Sequence, residues 1–255
     1  MDVDSILRLL SSSNSYSDTQ DPSNVLVSFL NKLQLWKSIL RRYQEEEILK
    51  LVNIPSSWLV DERSKYLNGS NLEDVLADNN WSSDELDMHL SLPEALRLFS
   101  EYMFSPGLEE LFLSADGGHD QVIYSVIRVR DPGLAQELWI RIEEGEKSFS
   151  ELASEFGEGP EAKKKGLLGP VPLGSIEPPP LKSILRSLKA SKVTPPTQLG
   201  EWIILVRLEQ LTKSRFDQKM RTFLLDQQLN IFLNQRVEDI ILGKSLDPLE
   251  YSTTS

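Results

Sequence analysis

The residues able to do chemistry are few in this chain. It has no cysteine, so there is no thiolate nucleophile, no disulfide framework and no Cys-ligated metal or cluster. It has two histidines, His89 and His119, which makes a histidine-rich metal site improbable. His119 beside Asp120 could form a small pH-sensitive pair, although a linker histidine is the plainer reading. Gly117-Gly118 and Gly166–Gly169 lack the Lys-Ser/Thr partner and the strand–helix context of a phosphate loop, which argues against nucleotide binding. Lys163-Lys164-Lys165 could anchor acidic or phosphorylated peptides, or could simply be a solvated loop. Pro178-Pro179-Pro180 could be a polyproline ligand or a stiffener of its loop.

The charge narrows the partners. With 39 acidic and 27 basic residues the formal net charge is −12. Such a chain is repelled by phosphate backbones, so nucleic acid is not an expected partner. Hydrophobic residues make up 40% and charged residues 26% of the 255 residues, which suits a packed chain of one or two domains. The longest apolar runs, such as Trp202–Val206, fall far below the ~20 residues that span a bilayer, so no membrane association is expected. Met1–Leu10 carries Asp2, Asp4 and Arg8 and reads as a short amphipathic helix, not a secretory signal. A cytoplasmic protein is the expectation.

The elements that must position these residues change character along the chain. Val25, Phe29, Leu33, Trp36, Leu40, Tyr43, Ile48 and Leu51 keep a helical period, which predicts a helix over Val25–Val52, ended by Pro55. Shorter helices are expected near Leu72–Ala77, Glu85–Leu90, Pro93–Phe104 and Leu108–Leu113, with a capping box from Ser82 and Glu85. Trp36, Trp58, Trp81 and Trp139 read as packing residues of these and the later helices. After Gly117-Gly118, the β-branched run Gln121–Arg130 reads as a strand. An amphipathic helix over Leu134–Glu144 follows, and then a second one opened by a capping box from Ser148 and Glu151 and running through Phe156. Gly157–Pro180 reads as loop, Leu181–Leu188 as a helix, Trp202–Leu208 as a second strand and Phe216–Leu242 as a long closing helix. The fold class is therefore α+β, a β-α-α-α-β module set between helical pieces. The expected division is a helical domain 1–118 completed by 212–243, a module 119–211, and a flexible tail 244–255.

The module, from about Gln121 to Gln210, resembles the parvulin-type (PpiC, rotamase) peptidyl-prolyl isomerases. The likeness rests on ordered pieces: the strand Tyr124–Arg130, Ala135 in the helix after it, Glu146–Ala153, Gly166-Leu167-Leu168-Gly169, Lys192–Pro196, and Gly200–Val206. The helical flanks resemble those of the SurA and PrsA foldases, whose chaperone domain is built from both chain ends.

What the resemblance implies is a catalyst for X–Pro rotation, whose barrier is about 18–20 kcal/mol. Such a catalyst cups the proline ring in apolar side chains and places a polar network near the carbonyl. The family's histidine, Cys/Asp, hydroxyl and histidine positions map to Val126, Gly159, Leu199 and Trp202, so the polar network is missing. The apolar cup maps to Ile176, Leu181 and Trp202, with Glu158 as a nearby carboxylate. Two readings follow. One is slow isomerisation by desolvation alone. The other is a foldase or chaperone that binds unfolded or proline-containing polypeptide through a degenerate site. A third class of function is a non-catalytic adaptor docking one dedicated protein partner. No cofactor and no metal is implied.

Overall fold

The computed structural model describes residue 30 and residues 32–252. The expected helix over Met1–Leu10 and the Val25–Phe29 part of the first long helix lie outside the described residues. The chain divides into two compact units, 109–220 and a unit made of the two flanks, 1–108 with 221–255.

The flanking unit is helical. Its elements are α1 (Trp36–Leu51), α2 (Ser56–Leu67), α3 (Leu72–Asn79), α4 (Ser83–Phe104) and most of a long helix near the C-terminus, α9 (Gln218–Ile241). The first corrections fall here. Glu85–Leu90 and Pro93–Phe104 are not two helices but the single α4, which carries Pro93 inside it. Proline removes one backbone donor. The helix nevertheless continues because Leu86, Leu90, Leu92, Ala95 and Phe99 form one unbroken buried stripe across that point. The Ser82–Glu85 capping box is present, with both reciprocal bonds made. The short helix α2 was not expected at all, since none of its residues is fully buried and its apolar pattern is correspondingly weak.

In α9 the buried stripe is Leu224, Leu225, Leu229, Leu233, Val237 and Ile240. Phe223 and Ile241, apolar residues of the same helix, are exposed. Ile48, Val52, Ala95, Phe99, Leu229 and Leu233 form one core, and Leu40, Val237 and Ile240 a second. Among its described residues, the segment read as a tail has no helix or strand. Its Leu246, Leu249 and Tyr251 nevertheless pack on these cores, and Ser252 Oγ donates to Tyr102 Oη at 3.0 Å. Among the described residues no helix is long and apolar enough to cross a membrane.

The second unit contains α5 (Leu108–Ser114), β1 (Gln121–Val129), α6 (Pro132–Glu143), α7 (Phe149–Phe156), a 3-10 turn (Pro160–Lys164), β2 (Leu167–Pro172), α8 (Pro179–Ser187), β3 (Thr197–Leu199) and β4 (Trp202–Thr212). The sheet is antiparallel throughout, in the order β2-β1-β4-β3. The expected two-strand module therefore gains two strands. Both are edges, where alternation is a poor signal. β2 contains Pro170 and Pro172 and buries none of its side chains, and β3 has only three residues.

Both faces of the central strands are covered. Even positions of β1 and β4 (Val122, Tyr124, Val126, Ile204, Val206, Leu208) pack with Leu173, Ile176, Leu181 and Leu185. Odd positions (Ile127, Val129, Ile203, Leu205) pack with Ala135 and Leu138 of α6 and Phe149, Leu152 and Ala153 of α7. α6 starts on Asp131, whose carboxylate accepts from Gly133 N and Leu134 N, and α7 starts on the Ser148–Glu151 capping box.

The end of the sheet is tied by Asp120, which is 2% exposed. Its carboxylate accepts from Lys213 Nζ at 2.7 Å, Ser214 N at 2.9 Å and Ser214 Oγ at 3.0 Å. Burial alone would raise this carboxyl, but the bonds from Lys213 and Ser214 outweigh it and hold it below its ordinary value. The ionised form thus favours the fold. Its contribution is complete above the unfolded carboxylate value of 3.8 and is lost as pH falls through the lower folded value. Asp120→Ala is expected to cost about 2 kcal/mol near neutral pH, because the Ser214 N–H loses its acceptor. The gap to wild type, read from urea unfolding, should shrink as pH falls below the carboxylate range. A constant gap across pH would show that the charge contributes nothing.

Candidate functional site

A cleft of about 470 Å³ opens on the even face of the sheet. Its floor follows from the period of two in a strand. Tyr124, Val126 and Arg128 come from β1, and Trp202 and Ile204 from β4. Leu168 of β2 and Leu199 and Gly200 at the β3–β4 turn complete the floor, while Glu177, Pro178, Pro180 and Leu181 at the start of α8 form a wall. The lining is mainly apolar, with Tyr124, Arg128 and Glu177 as its polar side chains.

Two glycines let β2 reach the floor. Gly166 has φ +80, and a Cβ there would stand 2.8 Å from the carbonyl oxygen of Val126. Gly169 has φ +100, and a Cβ there would collide with the carbonyl oxygen of Val122. Both positions combine left-handed backbone with close approach to β1, so a side chain is excluded twice over. This is the physical content of the Gly166–Gly169 stretch.

The positions named from sequence divide into three groups. Val126, Leu181, Leu199 and Trp202 line the cleft together. Ile176 lies beneath it, 4% exposed, in the core with Leu181 and Leu185. Glu158 and Gly159 lie outside the lining. Glu158 accepts from Arg130 N at 3.0 Å and pairs with the Arg130 guanidinium at 3.3 Å. Gly159 sits against the carboxylate of Glu161.

Arg130 in turn lies over the Trp202 ring, 4.2 Å from its centroid, with Glu201 3.8 Å away. Such a cation–π contact contributes about 0.5–1 kcal/mol at an exposed site and holds the indole in place. Glu158 therefore acts on the cleft through Arg130 and Trp202, not directly.

Other singled-out residues fall elsewhere. His89 packs on Trp81, with ring centroids 4.8 Å apart, and His119 stacks on Phe112 at 5.8 Å. Lys163 and Lys164 are exposed and absent from the cleft lining, and Lys165 borders a separate depression with Lys147 and Glu155. Of the prolines, Pro178 and Pro180 are themselves cleft wall.

Three polar residues were not anticipated. Tyr124 and Arg128 flank Val126 at two-residue steps, so strand alternation from Val126 would have found both. Glu161 had no such signal, because it stands on a 3-10 turn inside a stretch read as loop. Its side chain is 3% exposed and lies 2.9 Å from Arg128 Nε. The pair is close by distance, but the Nε–H is not aimed at the carboxylate, and neither carboxylate oxygen accepts a hydrogen bond. Burial raises the Tyr124 phenol above its ordinary 10.0, with Glu161 adding to the rise and Arg128 opposing it.

Residues 133–210 match the profile of the Rotamase family, described as the PPIC-type PPIASE domain. Among solved structures, the peptidylprolyl isomerase PrsA of Bacillus cereus is similar at 18% identity and a TM-score of 0.48, covering 88% of this chain and 90% of that one. PrsA of Bacillus anthracis is similar at 17% identity and a TM-score of 0.46, covering 84% and 100%. A SurA-like chaperone of Campylobacter jejuni is similar at 13% identity and a TM-score of 0.36, covering 98% and 96%. No curated protein matches the sequence.

The Tyr124 environment can be read by alkaline absorbance titration. The tyrosinate signal lost in Tyr124→Phe should rise above pH 10.0, and Glu161→Gln should move it down. A Tyr124 signal that Glu161→Gln leaves in place would show that Glu161 does not face this ring.

Proposed function

We propose, starting from the match of residues 133–210 to the PPIC-type PPIASE domain, that the chain binds unfolded or proline-containing polypeptide in the cleft above β1 and β4 without catalysing isomerisation efficiently. The observation that carries this reading is the lining of the cleft. Val126, Leu181, Leu199, Trp202 and Ile204 offer a proline ring an apolar seat of suitable volume. Trp202 is held at its edge by Arg130.

Efficient rotation needs more than an apolar seat. As the amide loses conjugation, charge shifts between its nitrogen and oxygen, and catalysis requires groups that interact more strongly with the twisted state than with the planar one. Here Val126, Gly159, Leu199 and Trp202 stand at the positions the resemblance assigns to that network. None of them carries a group that titrates near neutral pH. Desolvation of the amide alone supports at most a small acceleration. The helical flanks fit a foldase or chaperone in which the cleft adds proline-directed contacts to a larger client surface.

The test pairs binding with catalysis. A labelled, permanently unfolded proline-containing polypeptide should bind the full chain. Trp202→Ala should weaken that binding about thirtyfold, the loss of a central aromatic contact worth ~2 kcal/mol. X–Pro isomerisation in a proteolysis-coupled assay should run close to its uncatalysed rate. A strong acceleration that Trp202→Ala removes would replace the binding reading with an enzymatic one, and binding indifferent to Trp202→Ala would remove the cleft from the function.

A further inference from the structure

The charges around the cleft say which polypeptide segments it accepts. We infer that it selects proline-containing segments whose neighbouring residues are neutral or basic and excludes acidic ones, and that buried Glu161 sets this preference by neutralising Arg128. The inference rests on the reading of the cleft as a proline site and adds the charge class of its ligand.

Arg128 is the cation among the described residues that line the cleft. Left alone it would attract an acidic side chain or a phosphate. It is not alone. Glu161 stands 2.9 Å away with its side chain 3% exposed. Neither oxygen of Glu161 accepts a hydrogen bond, so no other donor shares its charge. A buried carboxylate in that state is tolerated only while a cation compensates it, and Arg128, its own side chain 35% exposed, is the cation in reach. Arg128 is thereby committed inward, and its capacity for a second anion is reduced.

The remaining charges at the site are acidic or already paired. Glu177 is exposed on the wall. Arg130 is shared between Glu158 and Glu201 beside Trp202. The lysine run that could have received an acidic peptide borders the cleft with none of its three residues. An incoming Glu or phosphoserine beside the proline would meet Glu177 and a spent Arg128. An incoming Lys would meet an unpaired carboxylate. Selection here works by repulsion of the wrong ligand as much as by attraction of the right one.

The experiment uses the full chain and labelled peptides that differ only in the residue before proline, Ala, Lys or Glu, read by fluorescence anisotropy at low and high salt. Wild type should bind the Lys and Ala peptides at least about tenfold tighter than the Glu peptide, with the gap shrinking as salt screens it. Glu161→Gln, nearly identical in shape, frees Arg128 and should bring the Glu peptide within about threefold of the others. The exposed Glu177→Gln, safe for folding, should narrow the gap by a smaller factor.

Equal binding of all three peptides by wild type, or a preference for Glu, overturns the inference. So does a Lys-to-Glu ratio that neither variant moves. Failure of every peptide to bind, or binding that Trp202→Ala leaves intact, instead overturns the proline-site reading beneath it and takes this inference with it.

Discussion

The pairing of β1 with β4 is the constraint on which the rest of the module depends. It runs from Gln121 opposite Thr212 to Val129 opposite Ile203, and both faces of it are covered. A strand pair buried on two sides has no solvated face to absorb an error. A slip of one residue would exchange every side chain between the α8 side and the α6–α7 side. Tyr124, Val126 and Arg128 would leave the cleft, and Ser125 and Ile127 would enter it. The register also contains one irregularity, between Ile123 and Tyr124, where the partner steps from Gln210 to Leu208. The extra residue, Glu209, is taken up by Ser125 Oγ and the Arg207 side chain. The bulge lets the ladder continue with the even face still pointing into the cleft.

From that register follows a division of labour between apolar floor and charged surround. The floor is made where strand alternation and α8 enclose Val126, Leu181 and Ile204. The charges stand around it: Arg130 with Glu158 and Glu201 beside Trp202, and Arg128 of the floor with Glu161. Each arginine is balanced by at least one carboxylate. The cleft therefore presents shape and exclusion of water to a ligand, with little free positive charge. Such a surround suits a chain whose overall charge is −12.

The parts of this fold that could be read from sequence are those where one physical signal dominates. β1 and β4 are dense in β-branched residues, and α6 and α7 carry explicit N-caps, so their types were legible to within a few residues. The edge strands were not, because β2 earns its place through glycine and proline geometry against β1, a relation between distant residues that no local pattern encodes. In α9 the helical period was legible but its buried face was not. Phe223 is exposed while Leu224 beside it is buried, and only packing against α1 and α4 decides between such neighbours. The cleft divides the same way. Leu181 and Trp202 were named because the family resemblance maps its apolar cup onto them, and both line the cleft. Glu161 was missed because its importance comes from burial against Arg128, a contact made across the turn.

The residues that carried the family resemblance are, physically, the residues that build the scaffold. Ala135, Phe149, Leu152 and Ala153 form the α6–α7 core, each at 1% exposure or less. Gly166 and Gly169 admit β2 to the side of β1. None of these side chains touches the cleft contents. A match on them establishes that the sheet, the helices and the hollow between them will form, and it is silent on what the hollow does. The cleft and its surround are shaped instead by positions such as 126, 128, 159, 161 and 202. In this chain those positions hold Val, Arg, Gly, Glu and Trp. Gly159 is the clearest instance of how one position shapes another: a side chain there would collide with the Glu161 carboxylate. The absence of a Cβ at 159 leaves room for Glu161, whose buried carboxylate stands 2.9 Å from the Arg128 Nε.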